Sequence, residues 1–423
     1  MQLDKKSTNI RQALAMATCS LLGAATPAVS SAAEWDIDSS ILFYAEDNSR
    51  VSAVEPVVSA RKETGEDEFF SVKVVLDSLT GASPNGAVPT NSVQTFTRPS
   101  GNGSYQIKAG ELPLDDTFKD TRAAVSASWD KPISRLVRRT LGVSVSREFD
   151  YTSLSANGQF SRDINNRNTT LTAGMSVAAD LIEPHGDIPT AFASMVAAGD
   201  TQPRDASSDN KTTVDLLLGV TQVLGHNTLG QLNYSFSQSA GYHTDPFKVL
   251  SVVDGTSGET LDIIYENRPE DRTKHSLYGE IKHFLGRDLI NASYRYYTDD
   301  WGLDSHTVDL RYRWNLSDKN YLQPRMRWYQ QTSTDFYRHS LVSGDPLPSY
   351  ASADPRLGEF SATTIGLKFG HKLGNNSEWN IRGKLYQQSA ESHPSDAIGV
   401  QKDQDLFPET SAVIIQVGYS FKW

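Results

Sequence analysis

The last thirteen residues, Ser411 to Trp423, alternate without interruption. Val413, Ile415, Val417, Tyr419, Phe421 and Trp423 take every second position, with Ile414, Gln416, Gly418, Ser420 and Lys422 between them. A period of two puts the first set on one face of a β-strand. That face is wholly apolar or aromatic, and it runs to the final Trp423. A soluble sheet rarely finishes so. A bacterial outer-membrane barrel does, because its last strand zips to its first and meets lipid. Tyr419, Phe421 and Trp423 are then the insertion signal that the barrel-assembly machinery reads.

The other end agrees. Lys5, Lys6 and Arg11 precede an acid-free apolar run from Ala13 to Pro27, and Ser31-Ala32-Ala33 offers small residues for cleavage. Residues 1–33 are therefore expected to be a cleaved secretory signal and residues 34–423 the mature domain. The apolar run is too short and interrupted to span a bilayer as a helix. Cys19, the one cysteine, lies inside it, and Met16-Ala17-Thr18 before it is a poor lipobox. A mature chain without a thiol excludes disulfides, cysteine-ligated metals, a thiol nucleophile and covalent haem. Cleavage also removes three cations and one anion, so the formal charge of −11 becomes two units more negative. An acidic balance argues against nucleic acid as a partner. The mean hydropathy of −0.44 resembles that of a soluble protein. Barrel strands escape that index, because only alternate residues face lipid.

Alternating segments fall at 40–47, 51–62, 67–77, 121–131, 140–149, 152–163, 168–180 and 211–223, then at 228–239, 272–284, 288–298, 305–315, 320–332, 359–372, 377–389 and 411–423. Short turns at Gly225-His226-Asn227, Gly286-Arg287, Ser317-Asp318-Lys319 and Gly374-Asn375-Asn376 alternate with long connectors at 181–210, 240–271, 333–358 and 390–410. The pattern reads as all-β: a transmembrane antiparallel up-and-down β-barrel of about 16 strands. Fourteen is the alternative if the first two segments fold differently. Short turns would face the periplasm and long loops the outside, which places the protein in the bacterial outer membrane. A hairpin near Asp318 would set Arg311 opposite Arg325 and Asp309 opposite Arg327. Aromatic belts are expected at Trp314, Tyr321, Trp379, Phe421 and Trp423 on the inner side and at Tyr296, Tyr297, Trp301, Phe336 and Tyr337 on the outer. The stretch Gly81 to Gly103 is rich in turn residues and reads as loop. It belongs to a connector, 78–120, long enough to enter the lumen or cap the mouth. The soluble alternative, a β-propeller or sandwich, lacks a blade-length repeat.

Three blocks carry a resemblance: Glu46-Asp47-Asn48-Ser49-Arg50-Val51 with Glu55-Pro56, Asp77 to Gly86, and Ser161 to Leu171. They resemble an uncharacterised proteobacterial outer-membrane-like β-barrel family known only as a domain of unknown function. The resemblance covers nearly the whole mature chain and implies an envelope location. The genes of that family lie near those for flavin transfer and thioredoxin-like proteins, so the resemblance hints at envelope redox work and implies no substrate.

The strand phases aim Lys282, Arg295, Arg311, Arg313, Arg325, Arg327, Lys368, Arg382, Lys384 and Lys422 inward. Such a wall would attract phosphate or carboxylate solutes, since charged rings set pore selectivity. The bland alternative pairs these cations with Asp215, Glu280 and Asp309 in a plugged interior. Asp299, Asp300 and Asp304 suit calcium in charge but lack EF-hand spacing, so they read as solvated loop acids. The nine histidines are scattered, with no metal-ligand spacing. There is no Gly-x-Ser-x-Gly elbow, His306 and Asp309 lie on opposite strand faces, and His243 and Asp245 share a loop. No phosphate-cradling glycine loop opens a helix. No metal, cofactor or catalysis is expected. The function read from these residues is a porin-like channel or transport component with an anion-leaning lumen, open to small solutes. The alternatives are a structural barrel docking a periplasmic redox partner or an extracellular ligand, and a surface hydrolase.

Overall fold

The computed structural model describes residues 34–47, 50–374, 376–407 and 409–423, with only the backbone at 116–118. The expected signal at 1–33 lies outside them. Sixteen strands form one closed antiparallel barrel, numbered here in chain order. They are β1 (Trp35–Glu46), β2 (Ser52–Gly65), β3 (Glu68–Pro84), β4 (Leu114–Ser134), β5 (Val137–Arg147), β6 (Tyr151–Ile164), β7 (Thr169–Ile182) and β8 (Asp209–Gly225). The second half comprises β9 (Thr228–Gly241), β10 (Asp271–Leu285), β11 (Asp288–Asp299), β12 (Asp304–Asn315), β13 (Asn320–Gln331), β14 (Phe360–Lys372), β15 (Glu378–Ser389) and β16 (Thr410–Lys422). Each strand pairs with its sequence neighbours. β16 returns to β1 from Asp36↔Lys422 to Glu46↔Ala412. Trp35 and Trp423 seal that seam with backbone hydrogen bonds of 2.6 and 2.8 Å. Closure leaves no strand edge unpaired, as hydrocarbon requires. Among the described residues no helix is long and apolar enough to cross a membrane. In this fold the strands cross.

The side chains follow the period of two. On β16, Val413, Ile415, Val417 and Tyr419 are exposed on the outer face, and on β15 Trp379, Ile381 and Leu385 are. Between them the inner positions carry Gln416, Arg382 and Lys384. The expected hairpin register holds, with Arg311 opposite Arg325 and Asp309 opposite Arg327. One rim carries only short turns, such as 66–67, 135–136, 226–227 and 286–287. The other carries five long connectors, at 85–113, 183–208, 242–270, 332–359 and 390–409, and three short ones.

The barrel runs further than the sequence pattern suggests at β3 and β4, which are 17 and 21 residues long. Gly81 to Pro84 belong to β3, not to loop, and 94–97 pairs with 104–107 as a small hairpin. Gly81 makes the strand passable there. Its φ is +145°, and a Cβ would lie 2.2 Å from the Arg50 carbonyl oxygen.

The long connectors fold together. Strands 249–253 and 260–265 form a hairpin, and 340–342 adds to it in parallel. Leu250, Ile264, Ala351 and Ala353 form one buried cluster of this cap. Val88, Val253, Ala397 and Leu406 form another. The three connectors that meet in this second cluster leave the rim between β3 and β4, β9 and β10, and β15 and β16. Stems so widely spaced around a closed barrel meet at its mouth or just within it.

Candidate functional site

Two places in this fold gather charged side chains: the inner face of the C-terminal strands and the cap. All ten expected inward cations lie at the parity opposite to the exposed apolar series, which includes Ile281, Tyr294, Leu310, Met326, Ile365 and Leu385. Their surroundings differ. Asp309 accepts hydrogen bonds from Arg311 Nε at 2.7 Å and from Arg325 Nε at 2.8 Å. Lys282 Nζ lies 3.0 Å from Glu280 Oε2, and Lys422 Nζ lies 3.4 Å from Asp36 Oδ1. Asp215 has no ion-pair partner among the described residues. Arg295, Arg313, Arg327, Lys368, Arg382 and Lys384 have no carboxylate within 4.0 Å among the described residues. Arg382 instead donates to Gln416 Oε1 at 3.2 Å, and Arg295 lies 5.6 Å from the Tyr278 ring centre.

Arg313 sits 3.6 Å above the ring of Tyr321, with Lys368 Nζ 5.5 Å from the same ring. Tyr321 is 1% exposed and donates to Glu378 Oε1 at 2.6 Å. It therefore points inward near the short-turn rim and is no part of a lipid-facing belt. Gly370 makes room for it, since a Cβ there would come within 2.2 Å of the ring. The residue's parity with Gln323 and Arg325 carried this signal in the sequence. Facing the basic strands, β5 to β7 present Ser144 opposite Ser155, Ser146 opposite Ser153, and Asn157 opposite Ser176 to the interior. The interior is thus strongly basic along the C-terminal strands, while the facing wall is mostly hydroxyl and amide with Arg138, Asp163 and Asp180 among them.

The cap buries charge of both signs. Arg268 Nε lies 2.6 Å from Glu266 Oε1, and its NH2 lies 2.9 Å from Asp354 Oδ2. Arg356 joins Asp354 to Asp245, the latter at 2.6 Å. Glu266 also accepts from Ser352 Oγ and from the Asp245 backbone N–H. Burial alone would raise the Asp354 carboxyl, but Arg356 and Arg268 outweigh it and hold the group well below the usual carboxylate range. Burial does raise Glu266, in spite of Arg268. Five such charges, two positive and three negative, knit two connectors, 242–270 and 332–359, into one body. Nothing in the local sequence signals the links between the connectors, because Arg268–Asp354 and Arg356–Asp245 join residues far apart in the chain.

Several outer aromatics and acids serve the same cap. Trp301 and Phe336 pack with Leu357 in a buried cluster, at 5.1 Å between the two ring centres, and so form core where a belt is expected. Asp299 is not a solvated loop acid. Its carboxylate is fully buried and accepts from Arg272, Tyr297 Oη at 2.7 Å, and the backbone N–H groups of Trp301 and Leu303. Those bonds use it to cap the β11–β12 turn. Asp300 and Asp304 likewise accept from Thr273 N and Tyr296 Oη. Among the described residues no group of three or more His, Cys, Asp or Glu is placed to hold a metal.

A serine and a histidine do meet, at Ser239 Oγ and His243 Nε2, 2.7 Å apart. His243 Nδ1 faces the Gly241 carbonyl oxygen at 2.8 Å, and Asp245 is committed to Arg356. Ser239 is 2% exposed, with the His243 ring packed edge-on against Trp301. The pair fastens the start of a connector to β9. It lacks the orienting acid and the access that a hydrolytic triad needs.

A closed sixteen-strand barrel with an apolar outer band and its long loops on one rim defines an outer-membrane-type β-barrel protein. This chain belongs to the family described as "Protein of unknown function (DUF3570)", whose model matches residues 11–421. No curated protein matches it. Among solved structures it is similar to the siderophore receptor PirA from Acinetobacter baumannii, at 9% identity and a TM-score of 0.42, covering 86% of this chain and 54% of that one. It is similar to the ferric enterobactin receptor PfeA from Pseudomonas aeruginosa, at 10% identity and a TM-score of 0.44, covering 92% and 61%. OccK5 (OpdH) from Pseudomonas aeruginosa matches at 9% identity and a TM-score of 0.40, covering 92% and 98%. The chain spans less than two thirds of the two receptors it matches.

Proposed function

We propose that this protein resides in the bacterial outer membrane and acts there as a porin-like channel or transport component that favours anions. The observation that carries the reading is the one-sided interior. An acidic chain places six cations without a carboxylate within 4.0 Å on the inner face of its C-terminal strands, while the charges on the facing wall, Arg138, Asp163 and Asp180, each have a bonded partner. Small anionic solutes would diffuse past the arginines, whose planar donors suit phosphate and carboxylate. The connector between β3 and β4 is the gating element in this reading, because it belongs both to the cap and to the rim. Lipid meets the apolar band, and the barrel-assembly machinery meets Tyr419, Phe421 and Trp423. Planar-bilayer recording in a salt gradient tests the proposal. Step currents with a reversal potential toward that of chloride are the expected result. No step currents, or a cation preference, would count against it.

One observation favours a second reading, the docking barrel. The cap has its own buried core and spans the mouth, so its outer surface is a stable platform for an extracellular ligand. Its companion idea, a periplasmic redox partner at the short-turn rim, predicts co-purification of that partner from crosslinked envelopes.

A further inference from the structure

Two cation pairs stand directly opposite each other across neighbouring strands. Arg311 faces Arg325 across β12 and β13, and Lys368 faces Arg382 across β14 and β15. Like charges in such positions destabilise a sheet. Asp309 relieves the first pair by accepting from both guanidinium groups. The second pair has no such relief, for Arg382 reaches only the amide oxygen of Gln416. Lys384, two residues along the same face, adds another cation to the same place.

These groups surround one small hollow of about 100 Å³, whose lining includes Arg311, Arg325, Lys368, Arg382, Lys384 and Gln323. Gly366 helps to keep it open. It lies in register between Arg325 and Lys384, and a Cβ there would press to within 3.1 Å of Lys384 Cγ. Asp309 does more than neutralise. By holding Arg311 through Nε, it leaves that guanidinium's terminal nitrogens without a carboxylate partner among the described residues. Five cations thus share a single carboxylate around a space the size of a tetrahedral oxyanion.

We propose that this hollow is a binding subsite for a small, multiply charged oxyanion, of the class of inorganic phosphate or a phosphomonoester group. Guanidinium forks match oxyanions through paired N–H donors, which a halide cannot use. A divalent charge offsets the Lys368–Arg382 repulsion that the strands otherwise carry. The inference rests on the anion-favouring interior proposed above, but binding needs no conduction, so the two can be tested apart.

The test is calorimetric titration of the detergent-solubilised full chain with inorganic phosphate and, at matched ionic strength, with chloride. Thermal unfolding is followed in the same buffers. Phosphate is expected to bind saturably and to raise the melting temperature, since a ligand of the folded state alone stabilises it; chloride is expected to do neither. The double variant Arg382→Gln/Lys384→Met should weaken phosphate binding at least tenfold. Without phosphate it should melt no lower than the parent, because it relieves repulsion. Lys402→Met, exposed on the connector between β15 and β16, should bind as the parent does. Equal effects of phosphate and chloride, or parental affinity in the double variant, would overturn the subsite. Saturable phosphate binding by a barrel that passes no current would sink the channel and leave the subsite standing. Currents unaffected by phosphate, with no binding heat, would do the reverse.

Discussion

The barrel wall and the loop cap bury their side chains by opposite rules. On the wall, Leu154, Phe160, Leu218, Ile365 and Leu385 stand outward and exposed, while serines and arginines turn in. In the cap, Phe96, Leu250 and Val253 are completely enclosed and Phe407 is 2% exposed. The wall satisfies its backbone through a closed ladder and takes its apolar contacts from hydrocarbon. The cap, bathed in water, must supply a core of its own. One chain therefore uses the same residue types in two directions, and the surrounding medium decides which.

The sharpest way to break that comparison is to unbalance the cap's buried charges. Glu266→Ala leaves Arg268, 9% exposed, without the nearer of its two carboxylate partners, Asp354 alone remaining. Removing one member of a buried pair costs about 3–5 kcal/mol. The loss should be confined to connectors 242–270 and 332–359, seen as faster hydrogen exchange and proteolysis there. The barrel's heat-modifiable migration on gels should be unchanged. If barrel and cap melt together, they are one cooperative unit and the contrast fails.

A smaller effect tests the wall. Ile365→Arg puts a cation on the lipid face halfway along β14 and should cost about 2–4 kcal/mol. Ser155→Arg on the inner face of β6 should stay within about 0.5 kcal/mol of the parent. Urea titration of folding into vesicles reads both. Equal costs would mean that the two faces are wrongly assigned.

The smallest effect lies where wall and cap join. Glu148 follows β5 at the outer rim, and burial, then the neighbouring Asp120 carboxylate, push it up to about 7 against an ordinary value of 4.5. An acid raised on folding opposes the folded state once ionised. Stability should therefore decline as pH rises from about 4.5 to about 7 through this group, and the penalty should persist above that range. Glu148→Gln should match the parent's melting temperature at pH 4 and exceed it at pH 8. An unchanged pH profile would place the Glu148 carboxyl in water.

The wall was legible in the sequence because its rule is local. Alternation within each segment, from Phe43 on β1 to Val417 on β16, needs no knowledge of the partner strand, and all sixteen expected segments are strands. Even Tyr321 was readable, since it shares the parity of Gln323 and Arg325; its aromatic character masked that phase. The cap was not legible. Trp301 and Phe336 look like belt residues until a connector folds over them, and Asp299 looks solvated until Arg272 reaches it. Gly81 to Pro84 carries turn-rich composition yet continues β3, because Gly81 admits the close approach of Arg50. The inward cations were readable as residues on one face, whereas the Gly366 hollow among them depends on the register of four strands.

The order in which these regions can form carries its own consequence. The cap's connectors come from stems spaced around the ring, so this part of the protein is expected to assemble after the barrel closes. In the outer membrane proposed for this protein it then lies on the far side of the bilayer, where no nucleotide-driven helper is at hand. Arg268, Glu266, Asp354 and Arg356 must sort out their partners unaided, and a mispairing there would leave an intact cylinder with a scrambled lid.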